Sequence, residues 1–260
     1  MSQAERAPLV PAAVQGNTLL RVLTVNTHKG FNAFNRRFIL HELRDAVRAT
    51  SADLVFLQEV HGEHQLHAER HPNWPSGPQY EFLADSMWPA FAYGRNAVYP
   101  EGHHGNALLS RLPIRSWDNR DVSEAGTEER GLLHAQIDLP GERALHAVCV
   151  HLGLHEAQRQ RQLRLLCALI GELPANDPVV VAGDFNDWRC RATGVLAGCG
   201  LQPAFPASGG EPRSFPARWP LLRLDRIYVR HLRVTLSEVL NRKPWPHLSD
   251  HLPLLAEISL

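Results

Sequence analysis

The sequence predicts an α/β domain, on three observations. It opens with a strand, an amphipathic helix and a second strand. Later strands rich in β-branched residues surround one long amphipathic helix. No linker, low-complexity tract or short repeat divides the chain. A β-α-β unit favours parallel pairing with a right-handed crossover. With 260 residues, 44% of them hydrophobic, the chain can fill one large core. The reading is a loose N-terminal tail over residues 1–16 and a single domain over 17–260.

The first strand is Leu19 to Thr27, LLRVLTVNT. Arg36 to Thr50 reads as a helix, because Phe38, Leu43 and Val47 fall near one face. Ala52 to Val60 is the second strand. Residues 61–105 hold Pro72, Pro75, Pro78, Trp74, Trp88 and six histidines. They read as a long connection with one short strand at Tyr80 to Ala84, and long ordered connections are often functional. Strands follow at Asn106 to Arg111, Leu132 to Leu139 and Ala144 to Leu152. Glu156 to Leu173 is a strong helix with Leu163, Leu166 and Ile170 as its apolar stripe. Val179 to Ala182 is a strand, and Arg191 to Cys199 a short helix closed by Gly200. Leu224 to Val229, Leu232 to Val239 and Pro253 to Leu260 complete the strands.

Lys plus Arg equals Asp plus Glu, at 27 each. That balance argues against holding nucleic acid by bulk charge, though not against a local basic groove. The 15 histidines make the real charge sensitive to mild acid. Cys149, Cys167, Cys190 and Cys199 form no CxxC pair. Cys149 and Cys167, in apolar runs, read as core filler, and no disulfide framework is expected, which favours a reducing compartment. No apolar run is long enough to span a bilayer, and the N-terminus has no continuous apolar stretch. The expectation is a cytoplasmic protein without stable membrane insertion and without an obligate protein partner.

Several strands end in residues unsuited to a core. Asn26 ends the first and Glu59 the second. His151 ends HAVCVHL, and Asp184 and Asn186 follow VVVAG. Asp225 lies in LRLDRIYV, and Asp250-His251 precedes the last strand. In α/β sheets, functional groups commonly project from strand ends into a shared crevice. Singly, each has an ordinary reading as a turn or helix-cap residue. Together they would join carboxylates, amides and imidazoles. Packed carboxylates need a counter-cation, and Mg²⁺, with Mn²⁺ as the alternative, prefers such oxygen ligands. This set suits attack of water on a phosphoryl group. GxGxxG, GxxxxGK and GxSxG motifs are absent, so dinucleotide-fold, P-loop and α/β-hydrolase readings lose their support.

The ordered set NTH, LQEV, GNALLSR, VHLG, GDFN, LDRIYV and SDHLP resembles the endonuclease/exonuclease/phosphatase superfamily over Leu19 to Leu260. HKGFNAFNRRFILHELRDAV, FAYGRNAVYPEGHHGNALLSR and AGDFNDWR further resemble a compact bacterial clade of it. The resemblance implies a four-layer α/β sandwich, two mixed β-sheets packed face to face with helices outside. It implies Glu59 as principal metal ligand, Asn26 orienting the metal or its water, and Asp250 as a further metal-side carboxylate. It implies His251 as base or acid with Asp225 as its partner, and Asp184 orienting or deprotonating the attacking water. His151 and Asn186 are implied as phosphate-oxygen donors. Which of Asp184 and His251 takes the proton stays open.

In the His61 to His71 tract, HGEHQLHAERH, His spacings of three, three and four could set three rings along one helical face as a metal tract, but it lacks the HExxH order of a zinc protease, and its ordinary reading is a solvated helix or loop beside the site. His103 and His104 are candidates for substrate contact. Lys29, Arg36, Arg37, Arg95, Arg130 and Arg223 are candidates for phosphate contact, against the ordinary reading of solvated surface cations. Trp188 and Trp245 could wall the pocket for a base or a lipid, or cover the core. The function expected is Mg²⁺-dependent hydrolysis of a phosphodiester, in nucleic acid first. Phospholipid or a small phosphate ester is the alternative, and an inactive binding module weighs least, since every implied position holds a competent residue.

Overall fold

Residues 19–34, 36–140, 143–206 and 209–260 are described by a computed structural model of the protein. The expected tail, 1–16, lies outside the described residues. In chain order the elements begin β1 (Leu19–Asn26), α1 (Leu40–Ala49), β2 (Leu54–His64), α2 (Gln65–Arg70) and α3 (Gln79–Ala84). β3 (Ala90–Tyr99), β4 (Gly102–Ser110), β5 (Ile114–Asp121), β6 (Gly131–Asp138) and β7 (Ala144–His151) follow. The rest are α4 (Glu156–Glu172), β8 (Val179–Asp184), α5 (Ala192–Ala197), β9 (Gln202–Pro203), β10 (Asp225–Arg230), β11 (Arg233–Val239) and β12 (Leu254–Ser259).

Two six-stranded mixed sheets result, ordered β11-β12-β1-β2-β4-β3 and β5-β6-β7-β8-β10-β9. Each has a parallel pair at its centre, β1/β2 and β7/β8, joined through a helix. The other pairs are antiparallel. Strand alternation explains the layers. In β1, Leu20 and Val22 join a core between the sheets, with Leu133, Ala147, Val180 and Ile227 from the second sheet. Leu23 and Val25 point the other way, against Leu40, Leu43, Ala46 and Val47 of α1. On the far face of the second sheet, Val148 and Val181 meet Leu163, Leu166 and Ile170 of α4. The order is helices, sheet, sheet, helices.

The region 61–105 departs from expectation. β2 runs on to His64, and β3 and β4 form a hairpin at one side of the first sheet. β3 is a sheet-edge strand whose buried residues are the small Ala92, Gly94 and Ala97, so its apolar signal is weak. Tyr80 to Ala84 is helical, not a strand. A short apolar run fits either period, and here Leu83 and Ala84 are buried with Tyr80 and Phe82 packed beside them on the α1 side of the sheet. α1 begins at Leu40 rather than Arg36. β5, sequence IRSWDNRD, is another sheet edge with mostly exposed residues, which hid it, as brevity hid β9. The expectation of no disulfide is also corrected. Cys167 of α4 and Cys199 beyond α5 are joined with Cα atoms 5.5 Å apart, a spatial pairing that their 32-residue separation conceals.

The inter-sheet core should dominate stability. Leu108 is fully buried there. Leu108→Ala is expected to lower the unfolding free energy by about 2–5 kcal/mol. Leu165→Ala, on the exposed face of α4, should change it by less than about 0.5 kcal/mol. Urea denaturation followed by circular dichroism compares the two.

Candidate active site

The inward-facing rows of four strands end in polar residues at one edge of the inter-sheet core. Leu20, Val22 and Thr24 lead to Asn26, and Leu145, Ala147 and Cys149 lead to His151. Val180 and Ala182 lead to Asp184, while Val229 and Ile227, read backwards, lead to Asp225. Parallel β1, β2, β7 and β8 bring their C-terminal ends here. β10 runs antiparallel to β8, so its first residue, Asp225, lies opposite Asp184. β12 runs antiparallel to β1, and the segment entering it reaches Asn26 through a Ser249 Oγ bond to the Asn26 carbonyl at 2.7 Å. His151 is in register with Asp184.

Glu59 reaches this edge by a different route. The β2–β4 register slips between Leu57 and Val60, and Glu59 sits in the slip with φ of 56°. A bulge of this kind re-aims a side chain at a backbone cost. Beneath it, Gln58 Nε2 donates to Thr24 Oγ1 and to Cys149 Sγ, both at 3.3 Å. These bonds tie the two sheets under the site.

The Asp184 carboxylate is 2% exposed and is solvated by protein. Oδ1 accepts the Asn186 N–H at 2.9 Å, and Oδ2 accepts Asn26 Nδ2 at 3.2 Å. His151 Nε2 and His251 Nε2 stand 3.6 and 3.8 Å from Oδ2. Burial raises the Asp184 pKa to about 6, with the His251 charge opposing and the Asp225 charge adding to the rise. His251 Nδ1 meets Asp225 Oδ2 at 2.8 Å. Burial works against charge on this ring, but Asp225 and then Asp184 outweigh it and lift its pKa to about 10. Burial, then Arg130, holds the fully enclosed His151 ring neutral.

Asn26 Nδ2 also donates to Glu59 Oε1 at 3.3 Å, while Asn26 Oδ1 accepts the His28 N–H at 3.0 Å. Two carboxylate oxygens on one side and an N–H on the other fix which way the amide points. Asn26 therefore presents its nitrogen to the acids. The amide thereby links Glu59 to Asp184. His28 Nδ1 approaches Asp250 Oδ1 at 3.0 Å. Burial opposes the ionised Asp250, but this hydrogen bond and the His251 charge hold its pKa down. Asn186 adopts φ of 50° and donates one amide N–H to the Leu152 carbonyl at 2.8 Å. The Glu59 carboxylate, which lines the pocket, is the type of oxygen ligand that fits a hard divalent cation keeping part of its water shell.

A pocket of about 380 Å³ opens over these groups, lined by Glu59, His151, Asp184, Asn186 and His251 with Glu128, Arg130, Trp188 and Phe215. A larger cavity of about 630 Å³ lies by Gly200, Arg230 and Leu260. It is at the opposite ends of β10 and β12 and holds no carboxylate side chain. Of the candidate phosphate contacts, Arg130 lines the pocket, while Lys29, Arg36 and Arg95 do not. Arg36 and Arg95 are solvent-exposed. Arg37 pairs with Glu42, and Arg223 bonds the Glu211 carbonyl. Trp245 is buried in the α1-side core, not in the pocket wall. His104 reaches the pocket indirectly, through Glu128 at 3.1 Å.

Sequence reading missed Glu128, which also binds Arg130 at 2.8 Å. These two partners hold the Glu128 carboxyl well below the usual range against its burial. Glu128 lies in the loop before β6, where no strand-end pattern marks it. His28 stood inside the NTH motif, and its contact with Asp250 needs the fold. Phe215, 4.9 Å from the His251 ring, comes from another loop.

Comparison with known proteins agrees with this geometry. The sequence model of the Endonuclease/Exonuclease/phosphatase family matches residues 23–251. The uncharacterised protein YbhP of Escherichia coli is 58% identical over 243 residues, covering 92% of this chain and 96% of that protein. An endonuclease/exonuclease/phosphatase from Beutenbergia cavernae superposes with a TM-score of 0.73 at 21% identity, over 93% of this chain and 72% of that one. D. rerio TDP2 complexed with a single-strand DNA product gives 0.69 at 18% identity, over 94% and 100%. These solved structures share the fold of two packed sheets.

The Asp225–His251 pair makes stability depend on pH. A folded-state pKa raised above the unfolded value of about 6.5 gives stabilisation that is complete below that pH and is lost as pH climbs through about 10. In metal-free buffer the melting temperature should fall between pH 7 and pH 10, and Asp225→Asn should flatten that fall. An unchanged slope in the variant, read by differential scanning fluorimetry, would remove His251 as its source.

Proposed function

The chain belongs to the endonuclease/exonuclease/phosphatase family, whose members are generally phosphoester-hydrolysing enzymes, and from that premise we propose that residues 17–260 act as one catalytic domain. It hydrolyses a phosphodiester, in nucleic acid, with Mg²⁺ or Mn²⁺. The observation that carries the reading is the pair Asp184 and His251, two buried groups 3.8 Å apart, a carboxylate made more basic by burial beside an imidazole held charged by Asp225. Environments that push two neighbouring titratable groups apart assign base and acid.

Asp184 is the base. Its enclosed carboxylate is more basic than an exposed one, and Asn26 and Asn186 aim it. It takes the proton of the attacking water at Oδ2 while the new phosphorus–oxygen bond forms. His251 is already protonated, so it serves as a donor: Nε2–H meets a non-bridging phosphate oxygen, with Nδ1–H fixed by Asp225. Being so close, the two groups serve one side of the phosphorus, and the ester bond breaks on the other. Neutral His151 and the second N–H of the Asn186 amide complete the donor ring around the phosphate oxygens. Glu59, with Asp250 on the flank, would hold the metal, which supplies charge neutralisation for the phosphate and leaving oxygens.

The pocket rim favours unpaired nucleotides. Trp188 is half-exposed at the pocket, with Arg189 over its ring at 4.6 Å. Aromatic faces backed by guanidinium groups suit stacked bases of a single strand. The D. rerio relative in fold was crystallised with single-strand DNA. Among the described residues no helix is long and apolar enough to cross a membrane, and a cytoplasmic setting is part of this reading.

With Mg²⁺, the protein should nick supercoiled plasmid or cut single-stranded oligonucleotides, and EDTA should stop it. Asp184→Asn and His251→Ala should each lower kcat/KM by about 10²–10⁴-fold while the far-UV spectrum stays unchanged. Wild-type turnover in either variant would remove its assigned role. Cleavage of a phospholipid or small phosphate ester with intact DNA would transfer the chemistry to that substrate.

A further inference from the structure

β2 does not stop at Glu59. It continues to His64, and α2 begins there with His64 as its cap: His64 Nδ1 accepts the His67 N–H at 3.2 Å. This cap brings the first turn of α2 onto the His64 ring. The His64 and His67 rings lie 3.9 Å apart, and the His61 ring is 5.0 Å from the first and 5.8 Å from the second. One ligand nitrogen from each of the three lies within 4.8 Å of the other two.

Two ring nitrogens here are buried without a partner, His61 Nε2 and His67 Nδ1. His61 is 1% exposed, and its other nitrogen, Nδ1, is bound to Tyr99 Oη at 3.0 Å. An orphaned polar atom in so enclosed a place calls for a ligand. From these nitrogens we propose that His61, His64 and His67 bind a borderline first-row divalent cation, Zn²⁺ foremost, at a site separate from the Glu59 oxygen site. The inference does not rest on the phosphoesterase reading.

The donor chemistry selects the ion. Three imidazoles with neither thiolate nor carboxylate suit Zn²⁺, Ni²⁺ or Cu²⁺ and disfavour Mg²⁺ and Ca²⁺. With Tyr99 Oη accepting from His61 Nδ1–H, Nε2 is the lone-pair nitrogen, the usual outer-shell arrangement of a metal-bound histidine. His64 Nδ1 is engaged by the helix cap, which leaves Nε2 for the ion. A tetrahedral shell with Zn–N of about 2.0–2.1 Å needs nitrogens about 3.3 Å apart. Rotation of the half-buried His64 and His67 side chains closes that difference. Trp74 stacks on His67 at 5.4 Å and Phe31 packs on it at 5.0 Å, shielding the site. Glu101 adds negative potential at His64, and Lys29 and Arg70 oppose it.

An untagged full-length chain, stripped with EDTA and dialysed, is titrated with ZnCl₂ by calorimetry in the presence of excess Mg²⁺. Tight uptake of one Zn²⁺ per chain with a rise in melting temperature is expected. The double variant His64→Gln, His67→Gln, with a native far-UV spectrum, should bind Zn²⁺ at least about 100-fold more weakly and lose that rise. Glu59→Gln and Asp184→Asn should bind it as wild type does. Zn²⁺ binding that survives the double variant, that vanishes in Glu59→Gln or Asp184→Asn, or that Mg²⁺ displaces in wild type would overturn the assignment. If the double variant loses its fold, His67→Asn alone with Co²⁺ decides: wild-type intensity of the Co²⁺ visible bands in that variant overturns it, and their loss upholds it.

Discussion

A carboxylate buried between two sheets must be solvated by the protein itself, and Asp184 sets that demand. An unpaired buried charge costs several kcal/mol, so every neighbour that faces it is constrained. Asn26 comes from the first sheet, Asn186 and His151 from the second, and His251 from the segment entering β12. One side chain therefore binds both halves of the sandwich at their common edge. Asp225 and Gln58 extend the constraint, the first by fixing His251 and the second by joining Thr24 to Cys149 beneath.

This arrangement places function at the cost of local strain. Glu59 and Asn186 both hold left-handed backbone, at φ of 56° and 50°, which disfavours an L-residue by roughly 1–2 kcal/mol. The strain is offset by neighbours that hold each side chain: Asn26 on Glu59, and the Leu152 carbonyl on Asn186. The bulge at Glu59 has a second consequence. It changes the side-chain alternation of β2, so that the strand serves the pocket with Glu59 and then turns His61 into an enclosed histidine cluster. Two donor sets of opposite character, oxygen and nitrogen, thus grow from one strand. His104 stands between them, its ring 5.9 Å from His61 and its Nε2 on Glu128 of the pocket.

The sequence by itself determined the α/β class, the two strand–helix–strand units and the residues that end the strands. Those signals are local: period-two alternation, period-3.6 stripes, and polar residues where a core row should continue. Asn26, Glu59, His151, Asp184, Asn186, Asp225, Asp250 and His251 were all legible that way, and their order along the chain carried the family resemblance. Sheet-edge strands β3, β5 and β9 were not, because a strand with one partner can be polar or short and lose its pattern. YEFLA fitted two periods, and only its packing beside α1 made it a helix.

Tertiary structure decided which polar residues meet and which way they face. The Asn26 amide turned its nitrogen to Glu59 because the His28 N–H occupies its oxygen. Arg130 entered the pocket with Glu128, while Lys29, Arg36 and Arg95 stayed outside it. Cys167 of α4 found Cys199 beyond α5, and His61, His64 and His67 closed on one another where a helix cap starts α2. Contacts of this kind depend on distances between segments far apart in sequence, or on one backbone turn, and neither leaves a periodic trace in the order of residues.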